Sequence, residues 1–494
     1  MKAMIKHTVL RFGCIAAICL GFGATMVGCG STSTSSGSSS VNSATNSKTM
    51  DESGKRAVVK ESAISLFEQA TKMSNTNPQG AIDAFKAAAK EESNFAEAWY
   101  NIGLLEQNRG NKKEALAAYE KASDMRPSMP EPYVNQAKML IDEGKMDEAE
   151  KLLLKVVDEK TGIAPFNVQA NLNLGMIYRK KGEDILEKER GGSEPKFSME
   201  GSEKKGEIKN KQAYEMFAKS VVYVRRALAG DSNNIYCYEN LSAIYYLMNS
   251  LEVARLVCEQ AMLKYGEYNE MLQKDLDAGK ITKDEFDRKA YTQKDLAAIY
   301  NTSGLIYLAE GEVSMGNAEF KKAVDADPTN VPAMLNVAGI AVNVQDYQLA
   351  YDLYNKVLAL QPDNVEAYLS KGVAARGLGN TDEAEKIYRD IIAKYPDYPQ
   401  AQFNLIILYQ EYYQKTDEAR QMYVDFTNDA KANAIIPGRV AEAKERIKQI
   451  DEMKAQIAKA EAEAARMKKE MEELEKMQKE MEAMEAAQQE GAAE

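Results

Sequence analysis

Thirty-four residues at positions 96–129, AEAWYNIGLLEQNRGNKKEALAAYEKASDMRPSM, set a pattern that the rest of the chain repeats. Trp99, Ile102 and Gly103 open one helical run, Ala115, Tyr119 and Ala122 fall in the middle of a second, and Pro127 closes it. Gly103 and Ala115 are small enough to let two antiparallel helices approach closely. Trp99, Tyr119 and their apolar neighbours leave a face that one pair cannot cover, so successive pairs must stack. At 494 residues the chain exceeds the roughly 250 to 300 residues at which a single core stops growing, which also favours a stack.

The succession W-x2-I-G, A-x3-Y and P resembles the tetratricopeptide (TPR) repeat, whose pattern is W-x2-L-G-x2-Y, then A-x3-F, then P over 34 residues. The resemblance implies an all-α fold, a right-handed α-solenoid of about nine TPR helix pairs with a long charged helix at the C-terminal end. It also implies binding along an extended concave surface rather than chemistry in a pocket. Its marks run over residues 61–425. Ala81, Phe85 and Ala88 fit a first, partial unit, with Ser65 where an aromatic is usual; Tyr133, Ala137, Gly144, Ala149 and Leu153 keep register in residues 130–163. Leu174, Gly175 and Tyr178 follow after a slip of about four residues. Tyr238, Leu241, Tyr245 and Ala254 mark a later unit, then Tyr300, Gly304 and Phe320, then Met334, Ala350 and Tyr354, then Tyr368, Gly372 and Tyr388. A ninth, from Pro399, keeps Leu405 and Tyr409 but gains one residue before Ala419 and Tyr423.

Two insertions interrupt the pattern. Residues 183–212 hold Gly191, Gly192, Pro195 and many charges, and read as a mobile loop. Residues 267–296 keep apolar spacing at Leu272, Leu276, Ile281 and Phe286 around an Asp277-Ala278-Gly279-Lys280 turn. That spacing predicts two flanking helices lengthened by about 14 residues each, a hairpin projecting about 20 Å. The expected division is a lipoprotein signal peptide (1–28), a lipidated Cys29 with its tether (29–53), repeats (54–182), the first insertion (183–212), repeats (213–266), the elongated hairpin (267–296), repeats and cap (297–436), and a charged helix with coiled-coil character (437–494).

The first 29 residues begin with Lys2, Lys6 and Arg11, continue apolar over residues 12–27 and end in Gly28-Cys29. The run is shorter than the ~20 residues of a spanning helix and suits a secretory signal. Met26-Val27-Gly28-Cys29 resembles a bacterial lipobox, with Met at the place more usually Leu. The resemblance implies cleavage before Cys29 and its modification by a diacylglycerol and an amide-linked acyl chain, enough for stable membrane anchoring. Residues 30–51 are mainly Gly, Ser, Thr and Asn and read as a flexible tether of about 25 Å as a coil. Gly30 after the cysteine implies an outer-membrane lipoprotein facing the periplasm.

The net charge of -12 becomes -15 once Lys2, Lys6 and Arg11 are removed. A nucleic-acid partner is disfavoured, because no basic stripe is present. His7, the only histidine, lies in the same segment, which leaves no imidazole for general-base catalysis or a metal. No phosphate loop, zinc spacing or nucleophile elbow occurs, and Gly377 and Gly379 fall at a helix turn without a preceding strand. The expectation is no enzyme, no catalytic residue, no metal and no cofactor. Of five cysteines, Cys14 and Cys19 lie in the signal and Cys29 is the lipidation site, leaving Cys237 and Cys258 as a bridged pair or as two buried thiols.

Asn101, Asn135, Asn173, Asn240, Asn336 and Asn404 each stand two residues after the Trp99-type place. In TPR proteins an asparagine there holds the backbone of an extended peptide, since its amide offers a donor and an acceptor. Beside them runs an apolar row that includes Tyr100, Leu104, Val134, Leu172, Leu335 and Phe403, which suits a partly hydrophobic peptide or a partner helix. Lys138, Arg179 and Arg376 are too dispersed for the Lys- and Arg-rich clamp that TPR co-chaperones use for acidic C-termini. Beyond Pro437 the spacing of Ile450, Met453, Ile457, Ala460, Ala464, Met467, Met471 and Leu474 makes a weak heptad seam, read as a solvated helix, weak self-association through residues 450–474, or docking on a partner helix. Together these features predict a membrane-anchored periplasmic scaffold that binds protein or peptide partners of a cell-envelope assembly, in pilus, secretion, outer-membrane or gliding machinery. The alternatives are a non-catalytic accessory subunit of a cell-wall or polysaccharide enzyme, and a self-associating spacer.

Overall fold

The computed structural model describes residues 60–160, 162–190 and 210–491. The signal peptide, Cys29 and its tether lie outside these residues, as does residues 191–209 of the first insertion. Among the described residues the chain is an all-α solenoid of recurring helix pairs without a strand. It divides into two compact units, one holding the described residues up to Ile340 and the other residues 341–491.

The first unit opens with α1 (Glu61–Met73) and α2 (Pro78–Glu91), then α3 (Ala96–Asn108) and α4 (Lys112–Met125), then α5 (Pro130–Asp142) and α6 (Met146–Val157). A close approach governs each pair. A Cβ built on Gly103 of α3 would lie 2.5 Å from the Tyr119 ring of α4, so that ring sits where any side chain would be. Phe85, Tyr119 and Leu153 take equivalent places on the second helices and are all buried, each adding roughly 1.5 to 3 kcal/mol of apolar transfer. Phe67 of α1 stands two residues after the exposed Ser65 and fills the missing aromatic place, with its ring centroid 5.0 Å from both Phe85 and Phe95. Trp99 is half-buried with the Lys121 ammonium 4.0 Å from its ring centroid.

The two insertions depart from expectation in instructive ways. Helix α7 (Val168–Arg190) runs through Glu183 to Arg190, so its last eight residues are helix and not loop. Ion pairs Arg179–Glu183 (3.6 Å) and Lys180–Asp184 (2.7 Å) support the added turns, and Ile185 and Leu186 pack against the core that holds Phe217. Its partner α8 (Lys211–Gly230) is likewise long and begins under Asn210, whose side-chain Oδ1 accepts from the Ala213 amide at 3.0 Å. After α9 (Ile235–Leu247), helix α10 (Leu251–Asp277) runs for 27 residues and the chain turns at Gly279, which holds φ +66°.

The return limb is not one helix but two, α11 (Lys283–Lys289) and α12 (Gln293–Ala309). Capping boxes Thr282–Glu285 and Thr292–Asp295 each start a fresh helix, which is why the chain breaks between them. At the break, the Asn269 side chain binds both backbone groups of Tyr291, at 2.7 and 2.8 Å, pinning the link to α10. Helix α13 (Val313–Ala326) pairs with α12, with Phe320 beneath Gly304 as Tyr119 lies beneath Gly103. Helix α14 (Val331–Asn343) carries the division between the units.

The second unit continues with α15 (Tyr347–Leu360), α16 (Val365–Gly377) and α17 (Thr381–Lys394). The 34-residue step is kept where α14, α16 and α18 (Pro399–Ile407) begin. Helix α18 runs into a π-helical turn at Leu408–Tyr412, which absorbs the one residue that the ninth repeat gains. Then follow α19 (Thr416–Asn428), α20 (Ala430–Ile435) and α21 (Pro437–Gly491). The cap does not stop at residue 436. Val440, Ala443 and Ile450 of α21 are buried with Phe403, Tyr423 and Phe426, so the first residue of the expected seam belongs to the core. Arg420 grips Asp451 through two bonds of 2.5 and 2.8 Å, and Lys454 pairs with Asp417. Beyond that point Met453, Ile457, Met467, Met471 and Leu474 are 46–68% exposed.

Candidate binding surface

The first helices of the repeats touch one another directly, α5 to α7, α7 to α9 and α9 to α12, so they form one layer of the first unit and the second helices the other. Asn101, Asn135, Asn173, Asn240 and Asn336 lie on first helices of this unit and Asn404 on a first helix of the other, and they differ in how they are satisfied. Asn101, Asn173, Asn240 and Asn336 are 0–5% exposed. Neither amide atom of Asn101 has a hydrogen-bond partner among the described residues. Asn173 accepts from Gln169 at 2.8 Å but its Nδ2 is unpartnered; Asn240 donates to the Tyr236 carbonyl at 2.9 Å and Asn336 to Asn301 at 3.1 Å, while the Oδ1 of each is unpartnered. A buried polar atom left in this state costs roughly 1 to 3 kcal/mol. Asn135 instead donates to the Tyr100 and Tyr119 hydroxyls at 3.3 and 3.4 Å, and Asn404, in the second unit, is held between the Gln400 carbonyl and Arg376.

The apolar row is placed differently from the expectation of an open groove. Tyr100 and Leu104 pack with Tyr119 and Met139, Leu172 with Phe217 and Leu241, and Phe403 with Tyr423 and Phe426; Leu335 is also buried. These side chains are interhelix core in this structure, because the next pair stacks over them. Desolvation pushes the Tyr100 hydroxyl up to about 12, as expected of a ring inside the stack.

One residue of that register was not singled out in the sequence. Each of Tyr100, Val134, Leu172, Leu335 and Phe403 directly precedes a row asparagine and is apolar and buried, but before Asn240 stands Glu239. Its side chain is partly open, and the charges of Arg179 on α7 and Asp295 on α12 act on its carboxylate. Burial between the helices raises it above the usual carboxylate range, Arg179 opposes that shift and Asp295 adds to it. Burial also raises Glu183, with Arg179 opposing. Both oxygens of Asp295 are already used, one by the Tyr236 hydroxyl at 2.5 Å and the other by the Thr292 amide at 2.7 Å. Arg179 pairs with Glu183. Among the described residues Glu239 makes no side-chain hydrogen bond or ion pair. The signal that could have found it is an acid in a register of apolar residues.

Cys237 and Cys258 are buried free thiols, which settles the two readings of that pair for this structure. Cys258 takes the aromatic-type place of α10, and burial pushes both thiols up to about 12, where they are poor nucleophiles. Among the described residues no group of three His, Cys, Asp or Glu side chains could hold a metal ion, and no helix is long and apolar enough to cross a membrane.

Residues 71–130 and 341–406 match sequence models of the tetratricopeptide repeat. An uncharacterized protein, ycf37, of Pyropia yezoensis is 37% identical over 65 residues; the match takes in 13% of this chain and 36% of that protein's length. Among solved structures, PilF of Pseudomonas aeruginosa is similar at 16% identity and a TM-score of 0.37, over 55% of this chain and 95% of PilF. A tetratricopeptide repeat protein of Parabacteroides merdae gives 15% and 0.35, over 65% and 98% of the two chains. A thermophilic TPR protein of Thermus thermophilus gives 14% and 0.33, over 50% and 99%. With repeat matches in both units and helix pairs that recur at the 34-residue step, the chain belongs to the tetratricopeptide repeat family.

Proposed function

We propose that this protein is a membrane-tethered scaffold whose first-helix layer holds an extended segment of a partner protein of a cell-envelope assembly. The observation that carries the reading is the set of buried asparagines with unpartnered amide atoms, Asn101, Asn173, Asn240 and Asn336. A peptide backbone supplies one acceptor and one donor per residue, the complement of what those amides lack, and it reaches them when neighbouring helices part, since the unpartnered atoms are closed to solvent in this structure. The lipobox-like Met26-Val27-Gly28-Cys29 and the Ser-rich residues after it support a lipid anchor at Cys29, and Gly30 supports a folded part facing the periplasm from the outer membrane. Scaffolding needs no catalytic group.

The test is site-specific photocrosslinking in intact cells from Ala243, one turn beyond Glu239 on α9, with Leu256 on the exposed side of α10 as control. Capture of a discrete polypeptide from Ala243, lost when Asn173 and Asn240 are both replaced by Ala, is the expected result. Equal capture from Leu256, or none from Ala243, overturns the reading. In the same cells C29S should move the protein from the membrane to the soluble fraction.

A second reading, self-association, draws on the exposed seam of α21, where Met467 is 68% exposed and Leu474 60%. Sedimentation of the chain with and without residues 455–494 separates it from the scaffold reading, which expects a monomer in both.

A further inference from the structure

Resting on the self-association reading of α21, we propose that its exposed seam is covered by the same helix of a second copy of this chain, running antiparallel in one register. The seam opens where the cap ends. Ile450 is buried in the cap, whereas Met453, Ile457, Met467, Met471 and Leu474 are 46–68% exposed, with Ala460 and Ala464 exposed between them. These positions alternate by three and four, and Gln478 continues the series. Side-chain size selects the orientation. In a parallel pair each residue meets its own copy, so two thin layers at Ala460 and Ala464 would adjoin two thick ones at Met467 and Met471. Reversing one helix sets Ile457 against Leu474, Ala460 against Met471 and Ala464 against Met467, so that every small residue receives a large one.

Charge along the flanks of the seam is an independent observation, and it favours the same arrangement. In that register Lys454 of one copy meets Glu475 of the other and Glu461 meets Lys468, which by symmetry gives four contacts of opposite sign. Two like contacts, Glu463 with Glu470, oppose them. A parallel pair keeps only two contacts of opposite sign, Glu463 with Lys468, and sets two like ones, Glu470 with Glu475, against them. Sliding the antiparallel pair by one heptad is worse in either direction, because it brings Glu461 against Glu475 or Lys454 against Lys468. Lys454 also pairs with Asp417 in its own chain, so the contact that it makes with the second copy starts at the rim of the cap. The two points at which α21 leaves its cap then stand about 35 Å apart, at opposite ends of the paired segment. No residue of the first-helix layer is used, and both copies keep that layer available.

The test uses full-length protein in detergent. Sedimentation velocity should show a dimer that E461K weakens at least about tenfold, equivalent to about 1.4 kcal/mol, because two opposite contacts become like ones. Adding K468E should restore it. In a parallel pair K468E would instead remove the contacts with Glu463 and weaken association further. Both positions lie on exposed helix beyond the cap, so neither change touches the core. Oxidation of introduced thiols is the second measurement. I457C mixed with L474C should form a disulfide-linked dimer that neither variant forms alone, while Cys237 and Cys258 stay buried. Self-linking of I457C, or an E461K/K468E chain that associates no better than E461K, overturns the antiparallel inference alone. A parent chain that sediments as a monomer overturns the self-association reading with it.

Discussion

A methyl group on Gly103 would meet the Tyr119 ring at 2.5 Å, within a pair whose packing admits no slack. G103A should therefore cost about 1 to 3 kcal/mol, read as a lower urea midpoint with an unchanged slope. Turns between the helices of a pair behave in the opposite sense. Gly110, Gly144, Gly311 and Gly379 hold a positive φ at this place, but Asn249, Gln345 and Gln414 hold it at 59°, 63° and 57° with a side chain attached. Left-handed backbone costs a non-glycine residue roughly 1 to 2 kcal/mol, which asparagine partly escapes, so Q345G and Q414G should each raise the urea midpoint where N249G does so less. Glu239 supplies a pH dependence. Burial lifts its folded carboxyl above the ordinary value, despite Arg179 and with the help of Asp295. Between the ordinary and lifted values the folded protein binds more protons than the unfolded one, so the contribution of this group to stability is full below the ordinary value and lost as pH rises through the lifted one. E239Q should consequently melt higher than the parent at pH 7 and together with it near pH 4, as circular dichroism would record.

Helices divide into those that the sequence announces and those that the neighbours decide. The pairs were legible because glycine and alanine recur opposite an aromatic at a fixed step, and the gained residue of the ninth repeat was legible too, though its conversion into a π-helical turn at Leu408–Tyr412 was not. Thr282 and Thr292 carried the break in the second insertion openly, as Thr-x-x-Glu and Thr-x-x-Asp, yet the apolar spacing around them favoured an unbroken helix. The role of the start of α21 was hidden, since Ile450 fits a heptad and a cap equally well and only the position of α19 and α20 selects the cap. Glu239 escaped for a related reason: on a helix surface a carboxylate reads as solvated, and its burial comes from α7 and α12, which are distant in sequence. A chain ending after Lys454 should melt with the full-length protein. One ending after Ile436 loses the burial of Val440, Ala443 and Ile450 and should be several kcal/mol less stable, with Phe403 and Phe426 uncovered.

A stack in which each pair leans only on its neighbours distributes its stability along the chain, and the division after Ile340 interrupts it once more. Damage in one pair should stay near that pair. Hydrogen exchange on G103A is expected to quicken in α3 to α5 and to stay at parental rates in α16 and α17. This locality gives the lone tryptophan an unplanned use. Trp99 sits on α3 beneath the Lys121 ammonium, so its ultraviolet emission is a private gauge of one hairpin and is blind to the other repeats. A heating curve followed by that emission and one followed by helical ellipticity should diverge, and the gap between the two midpoints would measure how far cooperativity travels from the second repeat into the remainder of the solenoid.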